Sequence, residues 1–173
     1  MSRMIAQAPA PWRMRPRTRK AVLVAHIVTA GAWIGLDVML GVLVFTPLLT
    51  TDPAVVALCY QAMPLLYRPI LLSGLACLAT GVVLGVGTHH GLVRHWWVLV
   101  KLALNILLTS LVVVLLGPAL SDAAELGRQL AAGVAVDVAT SNLVFPPIVS
   151  GTSLVVATVL AVYKPWGRVR ATR

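Results

Sequence analysis

The sequence predicts an all-α fold, a transmembrane four-helix bundle with short interfacial helices on its outer side, and three observations carry that expectation. Only 11% of the 173 residues are charged and 59% are apolar, whereas soluble domains hold about a quarter charged and about half apolar. The apolar residues come in long unbroken runs rather than the one-face stripe of a soluble helix. Lysine and arginine gather at alternate ends of those runs, as they do when basic residues are retained on the cytoplasmic side of a membrane.

Four windows reach the roughly 17–25 apolar residues that a membrane helix needs. Residues 21–45 hold only His26 and Asp37 as ionisable groups, and residues 70–86 hold no charge. Residues 97–116 carry Lys101 near their start, and residues 143–163 are uncharged. The first window follows a basic stretch, as a secretory signal does. It is longer than a cleavable apolar region and leads to Thr46-Pro47 without a small-residue cleavage site, so it reads as an uncleaved anchor.

With the N-terminus inside, twelve of the fourteen basic residues fall on the cytoplasmic side and only Arg68 and Arg128 on the other. The expected organisation is a basic, disordered tail over residues 1–20, one transmembrane domain over 21–168 and a basic tail over 169–173. The proline and arginine content of the first segment argues against a packed core there. The net charge of +9 does not point to nucleic acid, because the basic residues flank an apolar core and suit anionic lipid headgroups. The partner these features imply is the lipid bilayer, with a homo-oligomer or another membrane protein as further possibilities.

The outer segments carry helix signals. Asp52-Pro53 places a capping side chain before a proline at the first helical position, which predicts a short helix over residues 53–63. Pro64 and Pro69 then predict a kinked or broken approach to the second span. Asp122 and Glu125 predict the first turn of a separate outer helix over residues 121–133. Pro146-Pro147 is expected to bend or delay the fourth helix. Trp96, Trp97, Tyr163 and Trp166 sit where amphipathic rings mark the headgroup level.

Small residues that let membrane helices approach closely recur at helical spacing. They are Gly31 and Gly35 in the first span, Ser73, Cys77, Gly81 and Gly85 in the second, and Ser150, Ser153, Ala157 and Ala161 in the fourth. The stripes predict a compact antiparallel bundle and could equally serve a homodimer. Cys59 and Cys77 show no metal or redox spacing and read as free thiols.

Ionisable groups inside a span are costly and are functional candidates by default. His26, Trp33 and Asp37 fall within about 20° of one line along the first helix, which predicts an inward polar face. Asp37 needs a partner, for which Arg68 and a backbone carbonyl are both available. Lys101, Asn105 and Thr109 form an i, i+4, i+8 stripe on the third span. With His26 at a similar depth, and His95 beside it in the loop, these residues outline a pocket between the first and third spans. His89, His90 and His95 are a weak metal-binding group, lacking cysteine or carboxylate nearby. No hydrolase, phosphate-loop or zinc-protease motif is present, so classical enzymatic activity is not expected.

His26 followed by Ala32-Trp33-Ile34-Gly35, together with Trp96-Trp97 and Lys101, resembles the copper-resistance D (CopD)-like membrane domain. The ending Val162-Tyr163-Lys164-Pro165-Trp166-Gly167-Arg168 is similar to that of a family of small actinobacterial membrane proteins of unknown function. The resemblance covers residues 21–168 and implies a four-helix bundle in a bacterial plasma membrane, with copper or a b-type haem as cofactor. His26 would then be a ligand, with Lys101 beside a propionate and His95 as a second candidate. The chain departs from the di-haem pattern, which needs four inward histidines, and lacks the methionine or cysteine pairs of a copper path. Three functions remain open. They are an accessory or structural bundle, a haem- or copper-handling module centred on His26, and a proton- or cation-coupled transporter using Asp37. The accessory reading leads, because each polar residue has an ordinary packing role.

Overall fold

The computed structural model describes residues 14–87, 96–134 and 141–163. Its elements are α1 (Pro16–Leu49), α2 (Pro53–Ala62), a 3-10 turn (Met63–Leu66), α3 (Tyr67–Gly87), α4 (Trp96–Leu111), a π-helical turn (Val112–Leu116), α5 (Gly117–Ala131) and α6 (Ser141–Tyr163). No strand occurs among the described residues. Four helical stretches are long and apolar enough to cross a membrane. Only 17–28% of their most apolar windows is buried inside the protein. Leu23, Val28, Val38, Leu72, Val114 and Val159 are among the apolar side chains left facing outward. Such an inverted distribution is stable where hydrocarbon is the solvent, and the chain is a polytopic membrane protein on this ground.

Each helix packs on its sequence neighbour in the membrane. α1 lies against α3 and α6, and α4 lies against the same two. The bundle therefore runs as a ring in which α1 and α4 are diagonal. The end bearing Arg15, Arg17, Arg19 and Lys20 is termed the basic end, and the opposite one the distal end.

The boundaries differ from the sequence expectation in ways that follow from backbone chemistry. α1 begins at Pro16, within the expected tail, because proline suits the first helical turn, where its missing N–H has no intrahelical acceptor. It continues through Pro47 to Leu49. At 34 residues it is about 51 Å long, which exceeds a hydrocarbon core of about 30 Å.

The short outer helix forms as expected, with Asp52 Oδ1 accepting a 2.9 Å hydrogen bond from the Ala54 N–H. The expected break before the second span is the 3-10 turn, where Tyr67 N–H donates to Pro64 O.

The second outer helix is not separate. α4, the π turn and α5 run without interruption, so Asp122 and Glu125 lie beyond the first turn of α5. The π turn explains how. Pro118 lacks an N–H and its ring would press on the carbonyl four residues back. In the widened turn Gly117 N–H donates instead to Val112 O, five residues back, which makes room for the proline. α6 likewise starts at Ser141 and carries Pro146 and Pro147 inside its early turns, so its start is not delayed.

Beyond the membrane bundle, α2 and α5 pack on each other as a distal cap. The buried face of α5 is Leu120, Ala123, Ala124 and Gly127, an i, i+3, i+4, i+7 stripe of mostly small residues. Gly127 meets the α2 backbone directly, since a Cβ there would lie 2.9 Å from Ala57 O and 2.9 Å from Tyr60 Cβ. Gln61 Nε2 donates to Gly127 O at 3.1 Å, tying the helices at that level. On the outer face of α5, Arg128 pairs with Glu125, which also accepts from Gln129. Those donors hold the Glu125 carboxyl below the usual carboxylate range.

Candidate functional site

The inward face predicted for α1 is the one observed. Trp33, Asp37, Leu40 and Val44 are its buried residues, at successive helical turns, and His26 is half-buried on the same side. Trp33 is fully buried and fills the bundle near its middle. It can do so because Gly74 of α3 has no side chain: a Cβ there would lie 3.0 Å from Trp33 Cη2 and 3.3 Å from Thr109 Oγ1. The indole Nε1 finds no hydrogen-bond partner, and neither does the buried Tyr60 hydroxyl of the cap. Both rings are thus placed by shape, against a cost of about 1–3 kcal/mol for an unsatisfied buried donor.

The hydrogen bonds of His26 go to the second span. Its Nδ1 lies 3.1 Å from the Cys77 carbonyl oxygen and 3.0 Å from Thr80 Oγ1. The imidazole rests over Gly81, where a Cβ would come within 3.2 Å of Cε1. The small-residue stripe of α3 is therefore a seat for the ring. A carbonyl can only accept, so Nδ1 carries the proton, and in the neutral ring Nε2 keeps its lone pair. Thr80 Oγ1 donates to Ala76 O at 2.7 Å, leaving its oxygen to accept from the same N–H.

The third-span stripe borders this group. Thr109 Oγ1 donates to Asn105 Oδ1 at 3.4 Å. Lys101 Nζ lies over the Trp97 ring, 5.5 Å from its centroid, within cation–π range. Cys77 Sγ is 3.8 Å from His26 Nδ1, and both cysteines are free and buried. Among the described residues no group of three or more His, Cys, Asp or Glu could hold a metal. His89, His90 and His95 lie outside the described residues.

Asp37 answers to neither Arg68 nor a backbone carbonyl. Ser150 Oγ of α6 donates to Asp37 Oδ2 at 2.6 Å, and Arg68 is exposed. The serine belongs to the small-residue stripe of the fourth span, so the signal was present in the sequence with another meaning attached to it. A groove of about 550 Å³ between α1 and α6 touches Asp37, which is 5% exposed, and is lined by Ile34, Val38, Phe45, Ile148 and Val155 among others. It opens sideways, on the face the bundle shows to lipid. The glycine pair of the first span does not pack inside the bundle either. Gly31 and Gly35 are exposed, and a Cβ at either would meet nothing within 4 Å.

The Asp37–Ser150 bond is measurable by a double-mutant cycle. The coupling energy from Asp37→Ala, Ser150→Ala and the double variant is expected near the average of about 0.6 kcal/mol for interhelical bonds in membranes, and below about 1.7 kcal/mol. Unfolding of the purified protein in mixed micelles supplies the values, and zero coupling would remove the bond from the folded state.

No protein-family model, no curated protein and no solved structure matches the chain.

Proposed function

We propose that the chain is an accessory or structural bundle of the bacterial plasma membrane, without classical enzymatic activity, whose polar residues hold its helices in register. The observation that carries this reading is that each ionisable group in the spans is answered from within the chain. His26 is held by Thr80 and the Cys77 carbonyl, Asp37 by Ser150, and Lys101 lies on Trp97. Two of these contacts join α1 to the helices on either side of it. The termini are assigned to the cytoplasm by the distribution of basic residues.

A cofactor module is the second reading, favoured by one feature. With Nδ1 held by a carbonyl, His26 is oriented in the manner of a metal-ligating histidine whose Nε2 is the donor atom. A haem or copper bound there would supply one-electron chemistry. The described residues fit it incompletely, since His26 is their one histidine and Trp33 fills the adjacent space.

One experiment decides between them. Protein purified in mild detergent from haem- and copper-replete cells is expected to show a plain aromatic spectrum and no stoichiometric metal. A Soret band or bound copper that disappears in His26→Ala would overturn the accessory reading and establish the second.

A further inference from the structure

We infer that the α1–α6 groove is the docking site for a membrane-spanning helix of a partner protein that carries a lysine or arginine at the depth of Asp37. The inference rests on the accessory reading and gives that reading a surface and a partner chemistry. Three features of the groove support it.

The first is its composition at depth. An apolar groove facing lipid is ordinarily filled by an acyl chain, which needs no polar contact. This one has a carboxyl in its lining. Asp37 lies eight residues from the distal end of the first apolar window, about 12 Å below it. A lipid entering from the distal leaflet would lay the methyl end of its tail there. A transmembrane helix can instead present apolar side chains along its length and a single polar one at mid-depth.

The second is charge. Among the described residues Asp37 receives one side-chain donor, the neutral Ser150 hydroxyl. The four apolar windows hold a single lysine or arginine of their own, Lys101. In another copy of the chain with the same orientation, Lys101 lies about 6 Å from the basic end and Asp37 about 24 Å from it. The two are mismatched by about 18 Å. A cation that adds to the Ser150 bond at the level of Asp37 would therefore come from a different protein.

The third is the shape of the wall. Gly151 lines the groove, and a Cβ there would meet nothing within 4 Å, so bare backbone faces the space. Toward the basic end the α1 wall continues through Gly31 and Gly35, on the same helical face as Val38 and Val42 and equally open. Thin walls of this kind let a second helix approach to backbone contact.

The test uses the full-length protein, labelled for energy transfer and reconstituted in phosphatidylcholine vesicles. The probe is a synthetic single-span polyleucine peptide with one lysine eight residues from its distal end. The same peptide with leucine throughout is the control. The lysine peptide is expected to associate about tenfold more tightly than the control, the size of one interhelical polar contact. Asp37→Asn should bring the two peptides together in affinity, and Gly151→Leu should abolish association of both. Neither variant threatens the fold, since asparagine can still accept from Ser150 and position 151 faces open space.

Equal association of the two peptides, or an advantage for the lysine peptide that persists in Asp37→Asn, would overturn the proposal and leave the groove to lipid. Self-association of the protein lost in Gly151→Leu, with no preference for the lysine peptide, would overturn it in favour of a homodimer. These results are independent of the His26 spectrum: a failed peptide assay leaves the accessory reading standing, and a Soret band removes that reading without altering the assay.

Discussion

Trp33→Ala is expected to lower the stability of the bundle by about 3–5 kcal/mol, the usual cost of emptying a buried aromatic site. The indole is fully buried between α1 and α3, with Thr109 of α4 close by. Helix association in lipid depends on packing more than on escape from water, so lost contacts are not offset by a hydrophobic term between the helices. Trp33→Phe separates packing from hydrogen bonding. It keeps most of the ring and removes an indole N–H that has no partner, so its cost should be a small fraction of the alanine cost. Denaturant titration of both variants in mixed micelles checks the order. Equal losses would mean that the indole nitrogen is hydrogen-bonded in the membrane.

Gly127→Ala is expected to cost about 1–3 kcal/mol, as overpacking generally does, with the loss concentrated in the distal cap. The added methyl would meet the Ala57 carbonyl and Tyr60 Cβ at 2.9 Å and Gln61 Cγ at 3.0 Å. Two of these three atoms are close to the α2 backbone and cannot swing aside, so α2 and α5 must part. Cys59 reports the separation, because it is buried in α2 at 7% exposure. Alkylation by a water-soluble maleimide should quicken about tenfold or more in the variant, in line with local opening of the cap. Cys77, buried within a membrane span, is the internal control. An unchanged rate would show that the cap opens without involving Gly127.

The fold was legible where bilayer physics leaves few options. Unbroken apolar runs and alternating basic flanks are enough to give four spans, and the Asp52-Pro53 signal gave α2. The segment after the third span differs from its expectation for a specific reason. The acids at 122 and 125 carry the marks of a helix start, yet a single widened turn lets the helix pass Pro118 and run on through them. Helical spacing correctly placed Trp33 and Asp37 inward but could not identify their neighbours. Ser150 reads from the sequence as a small packing residue, and its hydroxyl becomes relevant only where α6 lies beside α1. Counting residues sets His26 level with Lys101, and ring order in the bundle puts α3 next to α1, so the hydrogen bonds of the imidazole go to α3. Depth follows from counting residues along one helix. Adjacency depends on how four helices close, and a single sequence does not encode that in any local pattern.

The two irregular turns stand side by side, with Tyr67 after the first packed on Gly117 after the second. A 3-10 turn winds each residue by about 120°, more than the 100° of an α-helix, and a π turn winds it by less. The two adjacent rods are thus overwound and underwound at one level. A π turn takes up one more residue than an α turn over the same winding, so the extra residue is absorbed locally and α5 keeps its phase. Removing one residue there would restore an α-helical turn and press the Pro118 ring on the carbonyl four residues back, with the small-residue stripe of α5 still directed at α2. The wide turn is therefore a spacer that gives the proline room and leaves the facing of the cap unchanged.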